Sequence, residues 1–228
     1  MTHDGMTLPG VPEPAYLDMP LGQFLTVLAS GTPAPGGGAA AALSVALGAS
    51  LCAMTARLSA RRLDNAVTSQ LTTDGERILR SAASLMQADG EAYSRVISAM
   101  RKSTGADPAA RERAVAAALS DAADVPMQIV ELAAEAAGLA SRLAADGNPA
   151  LRGDAIAAAL LAGAAARSAA TMVSINLAGT PDDERHARAD SLVADAGRSA
   201  GAAARAHSAA IQAPNSMEPS AGSDRRRS

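Results

Sequence analysis

The sequence predicts an all-α bundle of long antiparallel helices, and three observations predict it. Apolar residues recur at spacings of three and four over long stretches, as they do along one face of a helix. Two breaks between these stretches carry helix-start signals, a capping side chain followed by proline, at Asp107-Pro108 and Asn148-Pro149. No segment shows the two-residue alternation of a half-buried strand, and no internal repeat is present.

Met1 to Pro20 contains Pro9, Pro12, Pro14 and Pro20 with little periodicity, so residues 1–20 read as an N-terminal arm. Leu21 to Ala29 forms a short helix with Phe24, Leu25 and Leu28 turned inward, ended by Ser30-Gly31-Thr32-Pro33-Ala34-Pro35. Gly36-Gly37-Gly38 opens a central helix that runs to about Ala60. On it Ala40, Ser44, Gly48, Cys52 and Ala56 form a stripe of small side chains suited to close helix contact. Leu43, Leu47 and Leu51 form a neighbouring stripe suited to core packing.

A long helix follows from about Asp64 to Lys102, with Leu71, Ile78, Ala82, Leu85, Tyr93, Val96 and Met100 at helical spacing. The next runs from Asp107-Pro108 to about Ala145, and Pro126 should kink or break it. The fifth long helix extends from Asn148-Pro149 to about Leu177. The last starts at Thr180-Pro181-Asp182-Asp183, with acids where the helix dipole favours them, and ends near Ile211. The helical domain is therefore residues 21–212. Residues 213–228, rich in Ser, Pro and Gly, read as a disordered C-terminal tail.

Composition narrows the function. Of the 228 residues 48% are hydrophobic, yet there is no Trp, one Phe and two Tyr, so alanine supplies most of the apolar fraction. An alanine core buries little area per residue, and burial against a second copy of the chain would remedy that. The net charge is −3 and the only basic cluster is the terminal Arg225, Arg226 and Arg227, which argues against nucleic-acid binding. The single Cys52 excludes an intramolecular disulfide and fits a reducing cytoplasm. Asp4, Glu13 and the prolines are unlike a secretory signal. Met19 to Ala56 contains no charged side chain, and Gly37 to Ala56 is long enough to span a bilayer. Its Ala, Gly, Ser and Thr content fits a centrally buried helix better, so no membrane association is expected.

Few residues are placed to carry chemistry. Asp89 falls four after Leu85 and four before Tyr93, which puts a carboxylate on the apolar face of the long helix. Burial would raise its pKa and suit it to general acid–base work; periodicity alone leaves open a rim position or a structural partnership with an arginine. Gly36, Gly37 and Gly38 expose backbone N–H groups at a helix start, which favours an anion, or simply allow another chain or ligand to come close. No Gly-Lys-Ser or Gly-Lys-Thr follows, so they are not a nucleotide-phosphate loop. Asp154 lies near a helix start, where a dipole partner is an equal reading, and Asn148 is explained by capping alone. Asn176 follows an uncharged run and needs hydrogen-bond partners if buried. Arg57, Arg61, Arg62 and Arg101, near helix ends, are candidates for an acidic substrate or plain surface charges. His3, His186 and His207 are too scattered for a metal site, so no metal is expected.

Taken in order, Thr32-Pro33-Ala34-Pro35-Gly36-Gly37-Gly38, Asp89-Gly90-Glu91-Ala92-Tyr93, Gly147-Asn148-Pro149 with Asp154, and Ile175-Asn176-Leu177 resemble a known family. It is that of the formiminotransferase-cyclodeaminase C-terminal domain and the stand-alone methenyltetrahydrofolate cyclohydrolases, and the resemblance covers roughly Leu21 to Ile211.

The resemblance implies a helical subunit that dimerises and takes a tetrahydrofolate derivative as substrate. Asp89 would be the catalytic proton carrier, with Pro35, Gly36, Gly37, Gly38, Tyr93, Asn148, Asp154 and Asn176 lining the cleft. The glycine turn is expected to receive the glutamate tail, and Arg62 or Arg101 to hold one of its carboxylates. Hydrolysis of 5,10-methenyltetrahydrofolate to the 10-formyl form is the expected reaction, since no formiminotransferase segment stands on this chain to feed a deaminase. Formiminotetrahydrofolate cyclodeaminase activity and non-catalytic folate binding are the alternatives. Ala39, Gly153 and Met172 replace polar residues usual in the family, which motivates the last.

Overall fold

The computed structural model describes residues 15–102 and 107–212. Met1 to Pro14 of the expected arm and the expected tail 213–228 lie outside the described residues. Among the described residues every regular element is helical: α1 (Leu21–Leu28), α2 (Gly37–Arg57), α3 (Asn65–Lys102), α4 (Pro108–Ala122), α5 (Asp124–Asp146), α6 (Arg152–Asn176) and α7 (Glu184–Gln212). Short 3-10 turns precede α1 (Tyr16–Asp18) and α6 (Pro149–Leu151).

The start signals act as read. Asp107 caps α4 by accepting a 3.2 Å hydrogen bond from the Ala110 N–H. Asn148 accepts from the Ala150 N–H at 3.1 Å and starts the turn that leads into α6. The helix predicted from Asp107 to Ala145 is two helices. Pro126 offers no N–H, and its ring collides with a helical carbonyl four residues back, at Ala122. The chain breaks there, and Pro126 occupies the third position of α5.

Helices α2, α5 and α6 pack on one another at the centre, with α3 against α2 and α7 against α5 and α6. Both α2 and the stretch Pro149–Asn176 are long and apolar enough to cross a membrane, but here they form the middle of the bundle. Small residues let the axes approach: a Cβ at Gly48 would stand 3.1 Å from the Ala158 carbonyl oxygen of α6. One at Gly75 of α3 would stand 3.0 Å from the Ala53 nitrogen. Gly75 beside Ala53, and Gly38 beside Asp89, make α2 and α3 an antiparallel pair.

Leu71, Ile78, Ala82, Leu85 and Val96 of α3 are buried as the periodicity predicts. Two apolar predictions are corrected. In α1 Phe24 is buried, but Leu25 is 50% exposed, because one short helix can offer only one side to the bundle. On α2 the small stripe is the deeper one, with Gly48, Cys52 and Ala56 buried and Ala40 and Ser44 half-buried; in the large stripe Leu43 and Leu51 pack half-buried against the core, but Leu47 is 50% exposed. Close packing through Gly48, Cys52 and Ala56 turns Leu47 outward. The end of the expected arm is docked, not free. The Tyr16 ring meets the Phe24 ring edge-on at 5.7 Å, and the Tyr16 N–H donates to Gln87 Oε1 at 3.3 Å.

Candidate functional site

The site forms where the start of α2 meets the C-terminal half of α3. Asp89, Ala92, Tyr93, Val96, Ile97 and Met100 recur at three- and four-residue spacings on one face of α3, and all of them line a cavity of about 420 Å³. Pro33, Ala34 and Gly36–Gly38 close one end. Leu119 and Ala122 of α4, with Met172, Ile175 and Asn176 of α6, complete the wall. Among the described residues Asp89 is the only charged side chain in this lining, and most of the rest is apolar.

Asp89 is held against the first turn of α2. Its Oδ2 accepts from the Ala39 backbone N–H at 3.0 Å, capping a helix whose own N-cap residue, Gly36, has no side chain to do so. The carboxylate rests directly on Gly38: a Cβ built there would stand 1.9 Å from Asp89 Oδ1 and 2.4 Å from its Cγ. Burial pushes the Asp89 carboxyl above the usual aspartate range, against the opposing effect of the Ala39 N–H. The result is a carboxyl aimed at an apolar cavity, with a raised affinity for a proton and a fixed geometry.

Asn176, at the end of α6, donates from Nδ2 to the Ala122 carbonyl at 3.2 Å and so ties α6 to the end of α4. Its Oδ1 remains for a ligand donor. Tyr93 is 45% exposed at the mouth. Met172 reaches towards the glycines, its Cε lying 2.9 Å from where a Gly37 Cβ would stand.

The predicted site residues divide by place. Gly36, Gly37, Gly38, Asp89, Tyr93 and Asn176 meet at one cavity. Pro35 is buried beneath the bend, after a cis peptide bond from Ala34, while its neighbours line the space. Arg62, Asn148 and Asp154 belong to the opposite end of α2, about 30 Å away by helix rise. There Arg62 Nε donates to the Asp146 carbonyl at 3.2 Å, and the Asn148 N–H donates to Ser59 Oγ at 2.8 Å. Asp154 sits half-buried in the first turn of α6. Within one chain these three do not reach the cavity. Arg101 is exposed on the last turn of α3, just outside the lining. The glycine turn, read as a seat for an outside anion, already holds the chain's own carboxylate at the Ala39 N–H.

The sequence reading missed Ile97, Leu119, Ala122 and Ile175 as lining residues and set Tyr93 and Met100 among the core positions, where they are exposed; Val96 is both core and lining. The stripe Asp89–Tyr93–Val96–Met100 was the available signal, since a carboxylate on an apolar face marks a cavity as readily as a core. Among the described residues no group of three or more His, Cys, Asp and Glu side chains is placed to hold a metal ion.

Comparison with known proteins gives consistent matches. A family model described as formiminotransferase-cyclodeaminase matches residues 20–195. The chain is 36% identical over 184 residues to the methenyltetrahydrofolate cyclohydrolase of Methylorubrum extorquens, covering 76% of this chain and 88% of that protein. It is 31% identical over 178 residues to the formimidoyltransferase-cyclodeaminase of Sus scrofa, covering 75% of this chain and 33% of that longer protein. In fold it is similar to the crystal structure of formiminotetrahydrofolate cyclodeaminase from Thermotoga maritima. The TM-score there is 0.73 at 22% identity, over 86% of this chain and 98% of that one.

Proposed function

The chain belongs to the formiminotransferase-cyclodeaminase family, and we propose that it hydrolyses 5,10-methenyltetrahydrofolate to 10-formyltetrahydrofolate with Asp89 as the proton carrier. The observation that carries this reading is the single carboxylate in a cavity whose other described lining residues are uncharged. The substrate's one-carbon bridge is a cation shared between N5 and N10. An apolar wall strengthens its attraction to Asp89, and the same carboxylate can take a proton from the attacking water.

The steps balance. The water oxygen bonds to the bridge carbon as Asp89 accepts a proton. The N5–carbon bond then breaks as the new hydroxyl gives up its proton and becomes the formyl carbonyl, N5 takes the proton held by Asp89, and the formyl group stays on N10. One proton is released per turnover, and Asp89 returns to its starting state. Binding a cation beside Asp89 favours its ionised form and so opposes the upward pull that burial exerts on its pKa. The pterin lies against the glycine bend and Met172, with Asn176 Oδ1 accepting from a ring N–H.

The higher identity and fuller coverage of the cyclohydrolase relative favour hydrolysis. Cyclodeamination of 5-formiminotetrahydrofolate is the second reading, because the other named relatives carry it and the same cavity serves it: ring closure forms the same cationic bridge. Methenyltetrahydrofolate supplied to the protein, followed by loss of its absorbance against buffer, tests the first. Ammonia release from the formimino compound tests the second. The family's replaced polar positions do not remove the central contact, since Ala39 serves Asp89 through its backbone N–H.

The protein is further proposed to be a cytoplasmic homodimer, in line with its lone thiol and alanine-rich core. Two outward leucines support this: Leu47 of α2 is 50% exposed and Leu160 of α6 is 54% exposed, on helices that pack side by side. Two copies joined there would cover apolar surface that the single chain leaves in water.

A further inference from the structure

A folate carries two negative carboxylates on its glutamate, and among the described residues the cavity offers them no cation, only Asp89. The start of α2 is a poor seat for them, because the Asp89 carboxylate already lies against it at the Ala39 N–H and would repel a second anion. The carboxylates must therefore be met outside the main cavity. Its long direction follows α3 from Asp89 to Met100, eleven residues or about 16 Å of helix. That is the reach of an aminobenzoyl group followed by a glutamate.

Met100 also lines a second cavity of about 410 Å³, whose other walls are Pro108, Arg111, Glu112 and Val115 of α4. The two spaces thus share one side chain as their threshold. Arg111 lies in the first turns of α4, where the helix dipole adds to its charge, and among the described residues no carboxylate pairs with it. Glu112 borders the same space and opposes an anion there.

We propose that the groove beyond Met100 is the glutamate subsite and that Arg111 is its carboxylate-binding residue, with Glu112 limiting its affinity. The assignment rests on the folate reading of the Asp89 cavity. It replaces Arg62, which is committed to the far end of α2.

The test is a binding cycle on the full-length protein with two probes: tetrahydrofolate, and tetrahydropteroate, which lacks the glutamate. Arg111→Ala should weaken tetrahydrofolate about fivefold, the upper range for an exposed ion pair, and leave tetrahydropteroate unchanged. Glu112→Gln should tighten tetrahydrofolate alone. Arg95→Ala, beside a different depression lined by Thr32 and Glu91, should change neither. Equal losses for both probes in Arg111→Ala, no loss for either, or a glutamate-dependent loss in Arg95→Ala instead would overturn the proposal. Turnover of methenyltetrahydrofolate, measured in parallel on the wild type, judges the catalytic reading separately. Activity without the glutamate-dependent cycle sinks only the subsite. The cycle without activity sinks only the reaction.

Discussion

Gly38 and Asp89 are in such close contact that a side chain at position 38 and a carboxylate at position 89 exclude each other. The Cβ of any residue other than glycine would stand 1.9 Å from Asp89 Oδ1. Backbone conformation is not the reason for the glycine, since no residue here needs a positive φ at that point; the reason is the carboxylate laid across it.

Gly38→Ala should therefore displace Asp89 and lose activity as an Asp89 variant does, at a stability cost of about 1–3 kcal/mol for the overpacked contact. Gly36→Ala is the comparison: a Cβ there meets nothing within 4 Å, so its melting temperature should match the wild type. Denaturant melts and turnover of both variants check this. Equal behaviour of the two would deny the contact its role.

The raised Asp89 pKa has a definite sign in stability. The folded chain holds this proton more tightly than the unfolded chain, whose aspartate titrates near the ordinary 3.8. As pH rises from there through the raised folded value, the unfolded state loses its proton first and stability falls. Ionised Asp89 thus costs stability at neutral pH. Asp89→Asn, which keeps an acceptor for the Ala39 N–H, should melt at the wild-type temperature or above it at pH 7–8, and the gap should close towards pH 4. A lower melting temperature for the variant at neutral pH would contradict the raised pKa.

Asp183 behaves in the opposite way. Hydrogen bonds and charge from Arg185 hold its carboxyl down to about 2. Arg185 also donates to the Ser120 carbonyl at 2.9 Å and pairs with Asp124 at 2.7 Å, clamping the start of α7 to the α4–α5 junction. The clamp should contribute fully above pH 3.8 and fade as pH falls towards 2. Arg185→Met should therefore melt lower than the wild type at pH 7, with the difference shrinking in acid. A pH-independent difference would mean that packing, not charge, is lost.

Leu47→Glu tests the proposed dimer. A charge at this outward position of α2 should convert the protein to a monomer in light scattering while helical content by circular dichroism stays the same. An unchanged mass would place any interface elsewhere.

Much of the fold was legible because helix punctuation is local. Asp107-Pro108 and Asn148-Pro149 each act through a side chain and a ring within a few residues of themselves, so no tertiary information is needed. Asp89 was legible for a related reason, since a carboxylate in phase with its apolar neighbours shows in the spacing. What the pattern could not show was direction. The leucines and the small residues of α2 are both plausible inner faces, and only the approach of α6 at Gly48 and of α3 at Gly75 decides between them. Distance was equally hidden. Asn148 and Asp154 share motifs with Asp89 in order along the chain, yet α2 separates their ends by its full length. The subsite beyond Met100 depends on how α4 folds back on α3, which spacing along either helix does not encode.

The most direct test of the central claim is the rate of methenyltetrahydrofolate hydrolysis by wild type and Asp89→Asn, each above the buffer rate and at saturating substrate. The wild type should turn over, and Asp89→Asn should lose about 100- to 10,000-fold in kcat, the usual contribution of a positioned proton carrier, with the fold intact by melting. Full activity in Asp89→Asn would contradict the account.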